Sequence, residues 1–313
     1  MNKLIVSSSP HIKTKHDTPR IMLDVIIALL PALIAGVVIY GIRALLVVAT
    51  CVVSSVVAEF LFNLITKKEQ TVFDLSAIIT GLILALTLSA DAPIWQCVIG
   101  SVFAIVVVKC LFGGLGCNFA NPAATGRVFL LICFSSTLAG GSLPLITSNP
   151  DLVAGATPLP QIAAGVELPS LLDMFLGLRG GSIGESCILA LLIGFVYLVA
   201  RKVINFEVPL IMVATVFVLS LIVGGDVNVA LYQVLAGGLV FGAVFMATDY
   251  VTTPITRVGK MIFAFGCGLI TFLIRMYGNY PEGVSFAILF MNILSPYIEQ
   301  WTKPRALGKR GNK

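Results

Sequence analysis

Polar positions along this chain are too sparse to mark out one face of a surface helix. Apolar residues instead run on almost unbroken until Gly, Pro or a cluster of charge stops them. Ten such runs occur, at residues 21–40, 43–65, 73–89, 94–112, 119–138, 184–200, 208–223, 229–247, 258–276 and 284–301. Each is near the ~20 residues that carry a helix across about 30 Å of hydrocarbon. The pattern predicts an all-α polytopic membrane protein with ten transmembrane helices. Strands of alternating polarity, the mark of a membrane barrel, are absent. One long interval, residues 139–183, has no spanning run, is rich in Gly, Pro and Ser, and carries Asp151, Glu167, Asp173 and Arg179. It reads as a water-exposed loop or small subdomain. The chain thus divides into a polar N-terminal segment (1–20), a first five-helix half (21–138), the loop (139–183), a second five-helix half (184–301) and a basic tail (302–313).

Composition excludes the soluble alternative. Of 313 residues, 58% are apolar and 11% charged, with a mean hydropathy of +1.02. So few charges cannot cover a water-soluble surface of this size. The formal charge of +5 does not point to nucleic acid, because the basic residues cluster beside apolar runs, where they set orientation. If the N-terminus lies inside, sixteen of the twenty Lys and Arg residues fall in inner segments, and only Arg43, Arg179 and Arg275 fall outside, with Arg127 within the fifth run. Both termini are therefore expected in the cytoplasm and the long loop on the outer side. The first twenty residues lack an apolar stretch with a cleavage site, so no removable signal peptide is expected.

The halves also resemble each other. Gly81-Leu82-Ile83-Leu84-Ala85, leading to Asp91 and Pro93, is echoed by Gly238-Leu239-Val240-Phe241-Gly242, leading to Asp249 and Pro254. Gly116-Cys117-Asn118 before the fifth run is matched by Gly278-Asn279-Tyr280 before the tenth. With five spans per half, the second copy enters from the opposite side, giving inverted repeats and a site between them. Ionisable groups at span depth are functional candidates. Four qualify: Glu59, Lys109, Arg127 and Asp249. Lys109 reads as snorkelling to the inner headgroups. Arg127 is placed to meet a flavin phosphate, a lipid headgroup or the carboxylate of Glu59 or Asp249. Asp249 with Thr248, Thr252 and Thr253 offers hard oxygen ligands for Na⁺, or a lone carboxylate for H⁺; the alternative is an ordinary helix cap. The seven cysteines form no C-x-x-C pair and read as small buried side chains, although Cys110 and Cys117 flank a glycine turn and could share a metal with a partner.

The outer loop contains Asp151-Leu152-Val153-Ala154-Gly155-Ala156-Thr157-Pro158-Leu159. Gly155 and Ala156 leave the backbone uncrowded and Pro158 discourages helix, so the hydroxyl of Thr157 is presented to a modifying enzyme. The segment resembles the flavinylation motif D-x-x-[ST]-G-A-T, departing from it where Ala154 replaces Ser or Thr. Three further segments resemble D subunits of the Rnf electron-transport complex: Ser7-Ser8-Ser9-Pro10-His11-Ile12, the glycine turn from Gly113 to Asn118 with Asn121-Pro122-Ala123, and Met246-Ala247-Thr248-Asp249. The related B subunit of the sodium-pumping NADH:quinone reductase shares the motifs but has a longer N-terminal region.

That resemblance implies a membrane subunit relaying electrons between ferredoxin and NAD, coupled to Na⁺ or H⁺ translocation. It implies FMN on Thr157 through a phosphoester, with Asp151, Gly155 and Ala156 completing the attachment motif. Arg127 is a candidate contact for the flavin phosphate, and Asp249 and Thr248 are candidate Na⁺ ligands. A second, non-covalent flavin, riboflavin, is expected between the halves, with no motif to place it. Implied partners are the A, B, C, E and G subunits of the complex, the flavin transferase and membrane lipid. No dinucleotide fingerprint follows a strand, so NAD is expected to bind elsewhere. The competing readings are a solute channel or transporter with inverted repeats, and a structural scaffold.

Overall fold

The computed structural model describes residues 18–138, 141–145, 170–278 and 283–304. Asp151, Gly155, Ala156 and Thr157 lie outside the described residues. Among the described residues the chain is helical, joined by turns and by one antiparallel bridge between Ser142 and Gly181. The first half comprises α1 (Thr18–Tyr40), α2 (Ile42–Ile65), α3 (Ser76–Thr87), α4 (Ile94–Cys110) and α5 (Pro122–Cys133). The second comprises α6 (Ile188–Ala200), α7 (Glu207–Gly224), α8 (Val227–Leu235), α9 (Leu239–Met246), α10 (Arg257–Tyr277) and α11 (Val284–Thr302).

Helices therefore fall within all ten apolar runs, but their lengths differ from those expected. Among the described residues, α1, α2, α7 and α10 are long and apolar enough to cross a membrane, and α8 with α9 makes a fifth candidate only as a pair bent by 61°. Local geometry explains the shortening. The run at 73–89 opens with a 3₁₀ turn, Val72–Asp74, and then breaks at Leu75, whose φ of 62° is left-handed, so α3 starts only at Ser76. Helix α5 starts at Pro122, where the missing proline N–H costs nothing, and the Asn121 side chain accepts from the amides of Ala123 and Ala124. The run at 229–247 is broken between α8 and α9, where Gly237 takes a φ of 64°. Toward their ends α4 and α9 widen into π-turns, over Phe103–Cys110 and Gly242–Met246. Such bulges recur at functional sites.

Packing repeats between the halves. α2 packs on α3 and α4, α3 on α5 and α4 on α5; correspondingly α7 packs on α8, α9 and α10, α9 on α11 and α10 on α11. The halves meet where α1 packs along α6 and α5 against α11. Small residues permit the closest approaches: a Cβ on Gly81 of α3 would lie 2.7 Å from the Cys51 carbonyl of α2, and one on Gly268 of α10 would lie 2.8 Å from the Met212 carbonyl of α7. This is how apolar helices associate where solvent supplies no hydrophobic drive. Fully buried Leu29, Leu84, Leu86, Phe241 and Phe263 mark the core. Conversely, Ile34, Val38, Ile65, Val196 and Ile222 are all more than half exposed on apolar helices. An apolar surface of that extent belongs against lipid.

The run expected to begin at residue 184 does not become helical until Ile188, because the preceding segment is threaded between α1 and α3. The amides of Gly184 and Ile183 donate to the carbonyls of Leu86 (2.7 Å) and Leu88 (3.0 Å). The Tyr40 hydroxyl donates to the Arg179 carbonyl at 3.2 Å and also bonds the Ser186 hydroxyl. On the other flank of residues 146–169, the Leu145 amide donates to the Ile39 carbonyl (2.8 Å), and Ser142 and Ser89 share a hydroxyl contact of 2.5 Å. Both described flanks of that interval are thus fastened to the same end of the bundle.

Candidate functional site: a cleft between the two halves

At the opposite end of the bundle the halves part to form a cleft of about 820 Å³. Its walls are apolar, with Ile21, Ile79 and Ile83 facing Leu198, Val244 and Phe245. Polar atoms collect at its rim, from Asn118, Asn121, Thr248, Asp249, Ser76 and Lys109. A slot that is mostly apolar, with a few convergent polar groups, has the character of a small-molecule or cofactor site.

Two chain turns build the rim. Glycines at 113, 114 and 116 all adopt positive φ, a region open to glycine without Cβ strain, and they bring Asn118 back toward α5. Asn118 is 9% exposed and donates to the Ala120 carbonyl (3.0 Å). Asn121 does more than cap α5, since its amide also donates to the Met246 carbonyl across the interface at 3.3 Å. That bond ties the start of α5 to the π-turn of the other half.

Beyond the π-turn, the Thr248 hydroxyl donates to the Val244 carbonyl (2.6 Å). Asp249, half-buried, accepts from the Val251 amide (3.4 Å) and the Thr252 hydroxyl (3.1 Å), while Thr253 donates to its carbonyl (2.6 Å). Asp249 thus closes a turn much as a cap does, and its carboxyl retains lone pairs toward the cleft. Burial pushes this carboxyl above the usual carboxylate range, partly offset by the Val251 amide, the Thr252 hydroxyl and the Tyr250 amide. With lone pairs to spare, the carboxyl can take up either a proton or a ligand N–H.

Sequence reasoning placed Lys109 at the headgroups, and the structure corrects this. Lys109 is 2% exposed, and its ammonium donates to both oxygens of Glu59 (2.9 Å each) and to the Ser76 hydroxyl (2.7 Å). Glu59, 1% exposed, also accepts from Thr71 at 2.6 Å. Three acceptors within reach make burial cheaper than stretching toward water. Glu59 on α2 and Lys109 on α4 were each conspicuous in sequence as charges at span depth, but nothing in their fifty-residue separation showed that they pair. Arg127 is also buried, at 3% exposure, and is not among the residues lining the cleft. Of the sequence-predicted residues, Thr248 and Asp249 are therefore brought to the cleft with Asn118 and Asn121, while Arg127 is placed deeper in the bundle. Cys110 is buried and Cys117 exposed, and among the described residues no group of three or more His, Cys, Asp or Glu side chains is placed to hold a metal.

The NQR2, RnfD, RnfE family profile matches residues 5–308 of this chain. The D subunit of the Na⁺-translocating ferredoxin:NAD⁺ oxidoreductase complex of Acetobacterium woodii is 48% identical over 309 residues, covering 97% of this chain and 95% of that protein. The D subunit of the proton-translocating ferredoxin:NAD⁺ oxidoreductase complex of Clostridium ljungdahlii is 40% identical, covering 99% and 97%. The D subunit of the ion-translocating oxidoreductase complex of Stutzerimonas stutzeri is 38% identical, covering 94% and 93%.

Proposed function

This chain belongs to the NQR2, RnfD, RnfE family, and on that premise we propose that it is the D-type membrane component of an Rnf complex. In this reading it relays electrons through FMN esterified to Thr157, between ferredoxin and NAD, and the flow is coupled to Na⁺ or H⁺ movement. The relatives' names support the complex and the ion-translocating oxidoreductase class. The coupling ion differs between the Acetobacterium and Clostridium relatives, so their names do not choose one for this chain. Its partners in this reading are the A, B, C, E and G subunits, together with the transferase that modifies Thr157.

The observation that carries the reading is the likeness to Rnf D subunits over nearly the whole chain, and the cleft between the halves extends it. A second flavin, held without a covalent bond, fits its chemistry: apolar walls suit a flat tricyclic ring, and the open acceptor positions of Asp249 and Asn118 suit the imide N–H at the ring's polar edge. When bound, such a group supplies one-electron transfer. The chain's own part is to exclude water, through Ile79, Ile83 and Phe245, and to hold the polar edge at the rim. Lys109 is spent on Glu59 and Ser76, so its charge is already balanced beside the ring. The repeated packing of the halves supports two related five-helix units; in this reading they are inverted and complete ten crossings with short and broken helices, and the distribution of Lys and Arg puts both termini in the cytoplasm.

The test uses the chain co-expressed with a flavin transferase. Intact mass should show one FMN adduct, a denaturing gel should fluoresce, and Thr157→Val should abolish both while leaving a flavin releasable by denaturation. Unmodified wild type would overturn the covalent relay. An absence of releasable flavin would remove the second flavin from the cleft and leave a transported solute as its occupant.

A further inference from the structure

Beside the cleft, at the same end of the bundle, lies a second recess of about 690 Å³ lined by Lys202, Asn205, Thr248, Thr253, Ile255 and Lys260. The cations around it are electrically unequal. Arg201 is paired with Asp24 at 3.2 Å, and Arg257 with Glu207. Lys202 and Lys260, which line the recess, have no carboxylate partner among the described residues. Of the nearby acids, Glu207 is already engaged by Arg257, and Asp249 forms no ion pair with either lysine. Two unneutralised ammonium groups thus share one concavity with the Asn205 amide.

The surface around the recess is apolar. Phe206, Leu210, Ile255 and Val258 are 55%, 59%, 77% and 58% exposed, and they stand at the starts of α7 and α10 and in the turn before α10. A free anion would use the lysines and leave this collar idle. An amphiphile with a negative head and apolar tails satisfies both. Backbone geometry places the head group consistently: Lys202 sits at a φ of 57°, beyond the end of α6, where the amides of Val203 and Lys202 return to the carbonyls of Leu198 (2.9 Å) and Val199 (3.0 Å). That helix-ending turn fixes the Lys202 Cα against the bundle and aims the side chain outward from a rigid base.

We propose that this recess seats the phosphodiester of an anionic phospholipid, with Lys202 and Lys260 on the phosphate oxygens and acyl chains along Phe206, Leu210 and Ile255. Basic pockets between helices at a membrane surface bind such headgroups through the same chemistry. The inference rests on the apolar helices lying in a bilayer and is independent of Thr157. The site shares Thr248 and Tyr250 with the cleft, so a lipid bound there would close one side of it.

The experiment titrates the purified, delipidated chain in detergent with dioleoyl phosphatidylglycerol, dioleoyl phosphatidylcholine or inorganic phosphate, reading occupancy by native mass spectrometry. Wild type should prefer phosphatidylglycerol over phosphatidylcholine. K202Q/K260Q should weaken phosphatidylglycerol binding roughly thirtyfold, and K202R/K260R should restore it with an unchanged melting temperature. The control K67Q/K68Q removes equal charge elsewhere and should have little effect. Equal losses in K202Q/K260Q and K67Q/K68Q would overturn the proposal. So would a wild type without headgroup preference, which would leave the lysines for an acidic protein segment. Displacement of the lipid by millimolar inorganic phosphate would make the site one for free phosphate instead.

Discussion

Replacing Lys109 by Met is the most direct probe of how the first half is held together. The substitution keeps most of the side-chain volume and removes the ammonium, which makes three hydrogen bonds. Glu59, whose side chain is 2% exposed, is then left with the Thr71 hydroxyl as its donor. Removing one partner of a buried pair costs about 3–5 kcal/mol, most of it the penalty for an uncompensated buried charge rather than the lost attraction. At ~2–4 °C per kcal/mol for a large chain, the melting midpoint should fall by roughly 10 °C. Glu59→Gln should cost a similar amount by stranding the ammonium. The double variant should recover much of the loss, because the cost belongs to the unpaired charge. The protein supplies its own reporter, since Cys51, Cys97 and Cys267 are 0–1% exposed, and a thiol-reactive fluorophore labels them only on unfolding. Cys117 and Cys133 are exposed and give a constant native baseline. The reasoning fails if either single variant melts with wild type, or if the double variant loses the sum of the two.

Two further variants probe the cleft. For Asp249, a carboxyl whose value is raised on folding binds its proton more tightly in the native state. Its contribution to stability is therefore present below the ordinary value of 3.8 and is lost as pH rises through the raised one. Asp249→Asn should flatten the pH dependence of the melting midpoint in that acid window and raise the midpoint at neutral pH, whereas an unchanged slope would place the titration elsewhere. Asn121→Ala removes both the cap of α5 and the bond to Met246, and should cost about 2 kcal/mol by thermal melting while loosening any cleft-bound flavin. A loss confined to stability, with flavin retention unaltered, would reduce Asn121 to a cap.

Much of this protein is legible in one dimension, because lipid imposes a uniform rule. Backbone polar groups must be satisfied within a segment, so a long apolar run in a membrane becomes a helix wherever it is read. That rule located a helix within each of the ten apolar runs, and the glycine turn from Gly113 to Asn118 was also visible in the sequence, whereas the short helix Leu171–Leu176 in the interval read as a loop was not. Helix length did not follow. Leu75 is inconspicuous in sequence, yet its left-handed backbone delays α3 at a turn packed against α1 and α2, and Gly237 takes the same region without Cβ strain to break the second run. The same dependence on distant partners hid the fate of Lys109: a lysine beside an apolar run ordinarily reaches for water, and only the arrival of Glu59 and Ser76 from α2 and α3 makes it a buried ion pair. The cleft belongs to the same class. Asn118 and Asn121 are separated from Asp249 by more than a hundred residues along the chain, and the meeting of the halves, which brings the Asn121 amide to the Met246 carbonyl, decides that they share a rim.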